Sequence, residues 1–322
     1  MKIVTVDLGG TNARFAIAEL HDDHRPTLGE SRTYKTAEHG GLAEAWAAFA
    51  RDTDGTLPEV ASIAIAGPVD GDLIRFTNNS WVIRPAALAA ELGLKRLSLF
   101  NDFAAMAAAV GVLNPDELGY VGGPDGPLPR EGVTTVIGPG TGLGVAQLLR
   151  RSGRTVVLPT EGGHIDFAAL DDFEERLLSR LRERHRRVSV ERIVSGPAIA
   201  DIRATLAMID GKPIVPLDDA SLWQTAIEGG ESYAVQALDR FVMSFGAVAG
   251  DLALAHGASS VVITGGLSNR IADRLASPLF NDRFRAKGRF ERRMADFPIR
   301  LARHPEAGLL GAATAYQEEH RK

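Results

Sequence analysis

The sequence predicts an α/β protein made of two related halves, and three features support this prediction. Two glycine-threonine loops, at residues 7–14 and 138–144, each lie between two apolar runs that are typical of strands. A further apolar run that ends in glycine follows in each half, at 61–67 and 260–266. Helical spacing alternates with the strands along the chain, as in α/β folds. The repetition indicates two half-folds of one architecture.

The first half shows alternating strands and helices. Apolar runs at 3–6 and 15–18 predict a strand on each side of the first loop. The next segment, 41–51, has the spacing of a helix with one apolar face. The elements that follow are predicted at 60–66 (strand), 85–92 (helix), 97–100 (strand) and 103–110 (an alanine-rich helix).

The second half begins after a Gly/Pro-rich segment, 111–129, which we interpret as a domain boundary. Strands are predicted on both sides of the second glycine loop, at 133–137 and 145–149. Two helices are predicted at 171–187 and 234–256, and the second of these is interpreted as a core helix. We therefore expect a small α/β domain at 1–110 and a large α/β domain at 111–303.

Length and composition are those of a globular protein with two domains. The chain has 322 residues, 45% of them hydrophobic, and its 36 basic and 41 acidic residues leave a formal charge of −5. This balance argues against a nucleic-acid binder, whose affinity depends on Lys and Arg neutralising phosphates. The absence of cysteine excludes disulfides and zinc-thiolate sites. A strand is predicted to begin at residue 2, so we expect a cytoplasmic protein. Gly and Pro interrupt the long uncharged runs, so we expect no membrane partner.

The two loops have the composition of phosphate-binding loops. Glycine exposes successive backbone N–H groups, and threonine adds a hydroxyl donor. Neither loop matches a P-loop or a dinucleotide-binding motif, and a hairpin turn would also contain glycine. The duplication favours one nucleotide held from both sides. The candidate residues are Gly9, Gly10, Thr11, Asn12, Gly138, Gly140, Thr141 and Gly142.

Asp102 is the best candidate for a catalytic residue. The pair Asn101-Asp102 follows a short strand and precedes a helix, and ligands of α/β sheets bind at the carboxyl ends of strands. An aspartate in this position could instead be the N-cap of the helix. Both interpretations of Asp102 are open at the level of the sequence.

A second polar group, Glu161 and His164, is separated by two glycines. Carboxylate, amide and imidazole groups together suit a neutral polyhydroxyl ligand, because each hydroxyl both donates and accepts a hydrogen bond. A metal site is the alternative, but further His or Cys ligands are missing nearby.

A nucleotide and a sugar-like ligand together indicate phosphoryl transfer to a hydroxyl group. That reaction requires alignment, a divalent metal on the phosphates and a base for the hydroxyl proton. Asp102 is the natural base. Asp7, beside the first loop, is placed to hold Mg²⁺ through water.

At this point the motifs resemble a known family. The segments DLGGTN (7–12), Asn101-Asp102, 138–144, EGGH (161–164), SGP (195–197) and TGG (264–266) together are similar to the bacterial ATP-dependent glucokinases, a branch of the actin, Hsp70 and sugar-kinase superfamily. The match runs in order through nearly the whole chain. It implies an actin-like ATPase fold, of the duplicated ribonuclease H-like type, with two domains that close over a cleft. It also implies that a C-terminal helix at 304–322 completes the small domain.

The resemblance also implies the substrates and the roles of individual residues. ATP, with Mg²⁺, would be held by the glycine loops, including Gly265 and Gly266, and would phosphorylate the 6-hydroxyl of D-glucose at the entry to glycolysis. Asp102 would be the base. Asn101, Asp102, Glu161, His164 and Glu191 would hold the sugar; Glu191 is assigned by the resemblance alone. The expected assembly is a homodimer.

Three rival hypotheses remain at this level. The repressor, open-reading-frame and kinase (ROK) proteins share the first loop and the Glu-Gly-His element, but their Cys-rich zinc motif is missing. A sugar-responsive regulator would not need Asn101-Asp102 and would carry a DNA-binding extension. An Hsp70-like or actin-like ATPase would not explain Glu161 and His164. ADP or polyphosphate as the donor also remains open.

Overall fold

A computed structural model describes residues 1–22, 24–53, 55–67, 69, 71–76 and 79–321. The strands are β1 (Lys2–Leu8), β2 (Asn12–Glu19), β3 (Thr27–Leu28), β4 (Arg32–Lys35), β5 (Val60–Ile65), β6 (Ile74–Arg75), β7 (Val82–Ile83), β8 (Arg96–Asn101), β9 (Leu118–Gly122), β10 (Gly132–Pro139), β11 (Leu143–Arg151), β12 (Arg154–Thr160), β13 (Ser260–Ile263) and β14 (Ile299–Ala302).

The α-helices are α1 (Leu42–Asp52), α2 (Pro85–Glu91), α3 (Asp102–Val112), α4 (Asp172–Arg182), α5 (Ala198–Ile209), α6 (Asp219–Glu228), α7 (Ser232–Ala255), α8 (Gly266–Arg270), α9 (Ala272–Leu275), α10 (Pro278–Arg285), α11 (Glu291–Ala295) and α12 (Ala307–Glu319). Pro68 and Lys322, which fall within predicted segments, lie outside the described residues. In the part of the chain that the structure covers, no helix is long and apolar enough to cross a membrane.

The chain forms two compact units. Unit 1 comprises Met1–Asn114, Thr155–Pro159 and His304–Lys322, and unit 2 comprises Pro115–Arg154 and Thr160–Arg303. Each unit has its own sheet and its own apolar core.

The sheet of unit 1 has the strand order β3-β2-β1-β5-β8, and β4 also pairs with β2. β1 and β2 form an antiparallel hairpin, β5 pairs in parallel with β1, and β8 pairs in parallel with β5. Helix α12 packs closely against α3, because a Cβ at Gly311 would overlap the carbonyl oxygen of Ala105. Small residues at this crossing therefore bring the C-terminal helix into unit 1.

The sheet of unit 2 repeats this plan. β10 and β11 form an antiparallel hairpin, β13 adds in parallel to β10, and β14 adds in parallel to β13. β9, which lies within the predicted boundary segment, pairs antiparallel to β14 at the edge. Each half therefore consists of a hairpin followed by two parallel strands, and the predicted α/β fold from two related halves is confirmed.

A buried ion-pair network joins three helices of unit 2. Glu174 on α4 is 1% exposed, and its carboxylate accepts from the Arg283 guanidinium of α10 and from Ser244 Oγ of α7 at 3.3 Å. Asp171 caps α4 by accepting from the Glu174 N–H at 2.9 Å and also pairs with Arg240 of α7 at 2.5 Å. These charges fix α4 against the helices behind it.

Helix α4 is shorter than its sequence pattern predicts. The prediction of 171–187 was wrong at the C-terminal end, because the helix ends at Arg182. Leu181 is the last apolar residue of the buried face, and the residues from Arg182 to Arg187 are all polar or charged. Without an apolar contact, charged residues do not hold a further turn against a core.

Candidate active site

The predicted groups of unit 1 lie at one edge of its sheet. Leu8 of β1 is paired in register with Ile65 of β5, and Ile65 is paired with Asn101 of β8. The loop after β1 and the Asn101-Asp102 pair after β8 therefore both follow the carboxyl ends of neighbouring parallel strands. This is the edge at which α/β sheets bind ligands.

Hydrogen bonds within the loop and from Thr36 hold the first glycine loop in a fixed conformation. The Gly9 N–H donates to the Asn12 carbonyl at 3.0 Å, which closes the turn. Thr36, which is buried, donates its N–H to the Thr11 carbonyl at 2.9 Å and its hydroxyl to the Gly10 carbonyl at 2.9 Å. These bonds fix the Gly10 and Thr11 carbonyls and with them the conformation of the loop.

Asp7 lies where β1 meets the first turn of α12. A Cβ at Gly308 would lie 2.5 Å from Asp7 Oδ2, so only glycine allows the helix to approach this carboxylate. Burial raises the pKa of Asp7, the Arg14 guanidinium 3.4 Å away opposes this rise, and the charge of Glu306 adds to it. Among the described residues, the buried Glu306 Oε2 also lacks a hydrogen-bond partner. A buried carboxylate beside a second carboxylate is a suitable environment for a divalent cation, which would compensate the charge of both.

The structure separates the roles of Asn101 and Asp102. Asn101 is the N-cap of α3, and its Oδ1 accepts from the N–H groups of Phe103 at 2.9 Å and Ala104 at 3.1 Å. The Asn101 amide donates to the Gly67 carbonyl at 3.1 Å. The alternative in which Asp102 is the N-cap is therefore wrong, since Asp102 is the first residue of the helix. Its partly buried carboxylate accepts from the Phe103 N–H at 2.9 Å.

In unit 2 the second glycine loop and Gly265 come together in the same way. Ile137 of β10 is paired in register with Ile263 of β13, so the segments that follow both strands share one edge. A Cβ at Gly138 would lie 2.5 Å from the Thr264 carbonyl oxygen. Gly265 has a φ of +97°, which favours glycine, and α8 begins at the next residue. Three glycine segments, two in unit 2 and one in unit 1, thus follow the carboxyl ends of parallel strands.

Glu191 lies against the second glycine loop. Its Oε2 accepts from the Leu143 N–H at 2.9 Å, and a Cβ at Gly142 would overlap that oxygen. The loop is closed by the Gly140 N–H donating to the Gly142 carbonyl at 2.7 Å, and the Gly196 N–H donates to the Gly140 carbonyl at 2.7 Å. Spacing gave no signal for Glu191, because 48 residues separate it from Leu143.

Glu161 and His164 lie on a 3₁₀ turn beside the same loop. The turn spans Gly162–His164, and a Cβ at Gly163 would overlap the Leu143 carbonyl oxygen. The two side chains are 75% and 58% exposed, with 3.8 Å between Glu161 Oε2 and His164 Nε2. Both polar groups are therefore available to a ligand.

The segment of Glu161 and that of Glu191 are joined by backbone hydrogen bonds. The Val190 N–H donates to the Ile165 carbonyl at 2.9 Å, and the Phe167 N–H donates to the Val188 carbonyl at 3.2 Å. Glu161, His164 and Glu191 are therefore parts of one rigid group in unit 2. Across the described chain, no group of three or more His, Asp or Glu residues is arranged to hold a metal ion.

Comparisons with known proteins agree with this arrangement. A glucokinase family model matches residues 4–319. The glucokinase of Zymomonas mobilis subsp. mobilis is 53% identical over 320 residues, covering 99% of this chain and 99% of that protein. The crystal structure of a glucokinase from an Antarctic psychrotroph has a TM-score of 0.84 and 33% identity, and the match covers 98% of each chain.

A more distant structure shares the fold. The ROK family glucokinase from Streptomyces griseus, solved in complex with glucose and AMPPNP, has a TM-score of 0.63 and 20% identity over 97% of this chain and 98% of its own. The predicted actin-like two-domain ATPase fold is confirmed by these neighbours. The predicted enzyme class, a sugar kinase, is confirmed as well. The chain belongs to the glucokinase family.

Proposed function

We propose that this chain transfers the γ-phosphoryl group of ATP to the 6-hydroxyl of D-glucose, giving glucose 6-phosphate and ADP. The observation that carries the proposal is the position of Asp102, at the carboxyl end of a strand in the same sheet as the first glycine loop, with Asn101 as the cap. Because Asn101 is the helix cap, Asp102 follows it as the first residue of α3, at the sheet edge where ligands of α/β sheets bind. The glucokinase relatives supply the substrates.

The glycine segments form the ATP site in this proposal. Backbone N–H groups and threonine hydroxyls of these segments bind phosphate oxygens, and glycine lets the phosphates approach the main chain. The Gly9 and Gly140 N–H groups close their own turns, so these two glycines contribute close approach and not a donor. The residues are Gly9, Gly10, Thr11, Asn12, Gly138, Gly140, Thr141, Gly142, Gly265 and Gly266. Mg²⁺, held by Asp7 through water, would neutralise charge on the phosphates. The raised pKa of Asp7 and the neighbouring Glu306 support a cation at this position.

The sugar is bound by five side chains in this proposal. Asn101, Asp102, Glu161, His164 and Glu191 offer carboxylate, amide and imidazole groups to the hydroxyls of glucose. The carboxylates accept and the amide donates, so hydroxyls of both orientations are satisfied. The remaining N–H of the Asn101 amide, beyond the one bound to Gly67, is the donor for the sugar.

Asp102 acts as the general base. Its carboxylate first orients the 6-hydroxyl of glucose by accepting its hydrogen bond. The hydroxyl oxygen then forms a bond to the γ-phosphorus while the bond between that phosphorus and the bridging oxygen of ADP breaks. Asp102 takes the hydroxyl proton as this transfer proceeds.

The biological setting is also a proposal. We infer that the working domains are 1–110 with 304–322, and 111–303. The enzyme would act in the cytoplasm, as a homodimer, at the entry to glycolysis.

A screen of sugars against phosphoryl donors tests the proposed function. We expect rapid formation of glucose 6-phosphate from D-glucose with ATP and Mg²⁺, and slow or no reaction with ADP or polyphosphate. Product formation is followed by coupled ADP release and by direct detection of the sugar phosphate. A protein that binds glucose but turns over none of these pairs would be a sugar-responsive regulator, and the proposal would be wrong.

Replacing Glu161 with alanine is expected to weaken glucose binding by about 1.5–3 kcal/mol, the range for a hydrogen bond to a charged group. The side chain is largely exposed in the absence of ligand, so folding should not change. Calorimetric titration of glucose measures the effect, and titration of AMPPNP into the same variant is the control. Glucose affinity equal to that of the unmodified enzyme would exclude Glu161 from the sugar site.

A further inference from the structure

The backbone of Leu143 contacts both proposed sugar-binding segments of unit 2. Its N–H donates to the carboxylate of Glu191, and its carbonyl oxygen lies against Gly163, between Glu161 and His164. Leu143 is also the residue at which the second glycine loop leads into β11. We propose that Glu191 is a positioning residue for the ATP loop as well as a ligand of the sugar, so that one carboxylate links the two substrates. The proposal rests on the proposed function of both segments.

The contact between Glu191 and the loop is specific. The Leu143 N–H donates to Glu191 Oε2 at 2.9 Å, which is a charge-assisted hydrogen bond. A Cβ at Gly142 would overlap Oε2 and would lie 3.0 Å from Cδ of Glu191. The carboxylate therefore occupies the space that any other residue at 142 would need.

The segment that carries Glu191 is itself rigid. The Val194 N–H donates to the Val190 carbonyl at 2.8 Å, and Trp223 Nε1, on a side chain that is 3% exposed, donates to the Gly196 carbonyl at 2.8 Å. The Gly196 N–H in turn donates to the Gly140 carbonyl. The loop is thus attached to this segment at two points, Gly140 and Leu143, on either side of Thr141.

This geometry couples the substrates through order in the loop. A sugar hydroxyl bound to the Glu191 carboxylate fixes the side chain, and the fixed side chain orders the Leu143 peptide. Nucleotide then binds a loop that is already ordered, so its loss of conformational entropy is smaller. Because coupling between two ligands is reciprocal, bound nucleotide should strengthen glucose binding by the same factor.

Two alanine variants of one loop test the link from the ATP side. Gly142→Ala displaces the Glu191 carboxylate, whereas a Cβ at Gly140 meets no atom within 4 Å. We expect Gly142→Ala to weaken glucose binding to the nucleotide-free enzyme roughly tenfold, and Gly140→Ala to change it less than about twofold. Calorimetry measures both affinities, and thermal melting shows that both variants fold.

Two substitutions of Glu191 test the link from the sugar side. Glu191→Ala removes the acceptor of the Leu143 N–H and should weaken AMPPNP binding, measured without glucose, roughly tenfold. Glu191→Gln keeps an acceptor oxygen and should restore AMPPNP affinity to within about threefold of the unmodified enzyme. Rescue by the amide distinguishes positioning of the loop from a general loss of structure.

The outcomes separate this inference from the proposed function. If Glu191→Ala loses glucose but binds AMPPNP normally, and Gly142→Ala binds glucose normally, the positioning role is wrong while the sugar site stands. If Glu191→Ala weakens AMPPNP but not glucose, the link between the substrates is overturned, because Glu191 then braces the loop without touching the sugar. Weakening of both ligands in Glu191→Ala, with rescue of AMPPNP in Glu191→Gln, supports the proposal.

Discussion

Replacing Asp102 with asparagine is expected to lower turnover by roughly 10²–10⁴, the range for loss of a general base. Asparagine keeps the size of the side chain and one acceptor oxygen but cannot take the proton of the 6-hydroxyl. Glucose should therefore still bind, while the transfer step becomes slow. Turnover is measured by coupled ADP release at saturating glucose and ATP.

The position of the helix cap makes this substitution a clean test. Asn101 is the N-cap of α3 and accepts from the N–H groups of Phe103 and Ala104, while Asp102 also accepts from the Phe103 N–H. Asp102→Asn therefore leaves the cap in place, and thermal stability should stay close to that of the unmodified enzyme. The matched control is Asp116→Asn, the same change at an exposed residue of unit 2, which should leave turnover unchanged. Near-normal turnover in a folded Asp102→Asn enzyme would exclude Asp102 as the base.

The fold could be predicted largely because short local sequence patterns specify its elements. Each glycine loop lies between two short strands, and the repeat of this unit indicated two halves before any register was known. The register of Leu8, Ile65 and Asn101 then follows from parallel pairing, and it brings the first loop and Asn101-Asp102 to one edge. Helix α12 was assigned to the first half by the resemblance, and its attachment depends on close approaches at Gly308 and Gly311 that no local pattern reveals.

Parts of the site were not predictable because they depend on contacts between distant residues. The Glu191 carboxylate meets the Leu143 N–H across 48 residues, and no local pattern marks such a pair. The choice between Asn101 and Asp102 as the cap depends on backbone dihedral angles, since both residue types cap helices well. The effect of Glu306 on Asp7 likewise arises only when α12 joins the sheet of unit 1.

The ion-pair network around Glu174 of α4 also joins residues that lie far apart in the sequence. It affects the stability of the protein and not its catalysis. Glu174 accepts from the Leu170 N–H at 2.7 Å as well as from Arg283 and Ser244, so all of its oxygens are used in the interior. Arg283 is itself only 13% exposed. Breaking a buried ion pair by removing one partner is costly. Without Glu174, the ion pair left to Arg283 among the described residues would be the longer contact of its Nη1 with Asp171, at 3.4 Å.

Glu174→Ala is therefore expected to lower the free energy of unfolding by about 3–5 kcal/mol. Urea denaturation followed by circular dichroism measures the change, and Glu175→Ala is the matched control, since Glu175 is the exposed neighbour on the same helix. We expect the control to lose less than about 0.5 kcal/mol, as surface substitutions usually do.

The apolar side of α4 packs in the same core as Val190 and Ile193, which flank Glu191 and Arg192. A destabilised α4 should therefore also loosen the segment that carries Glu191. Equal stability of the two variants would show that the charge of Arg283 is compensated without Glu174, and the network would then be incidental to the fold.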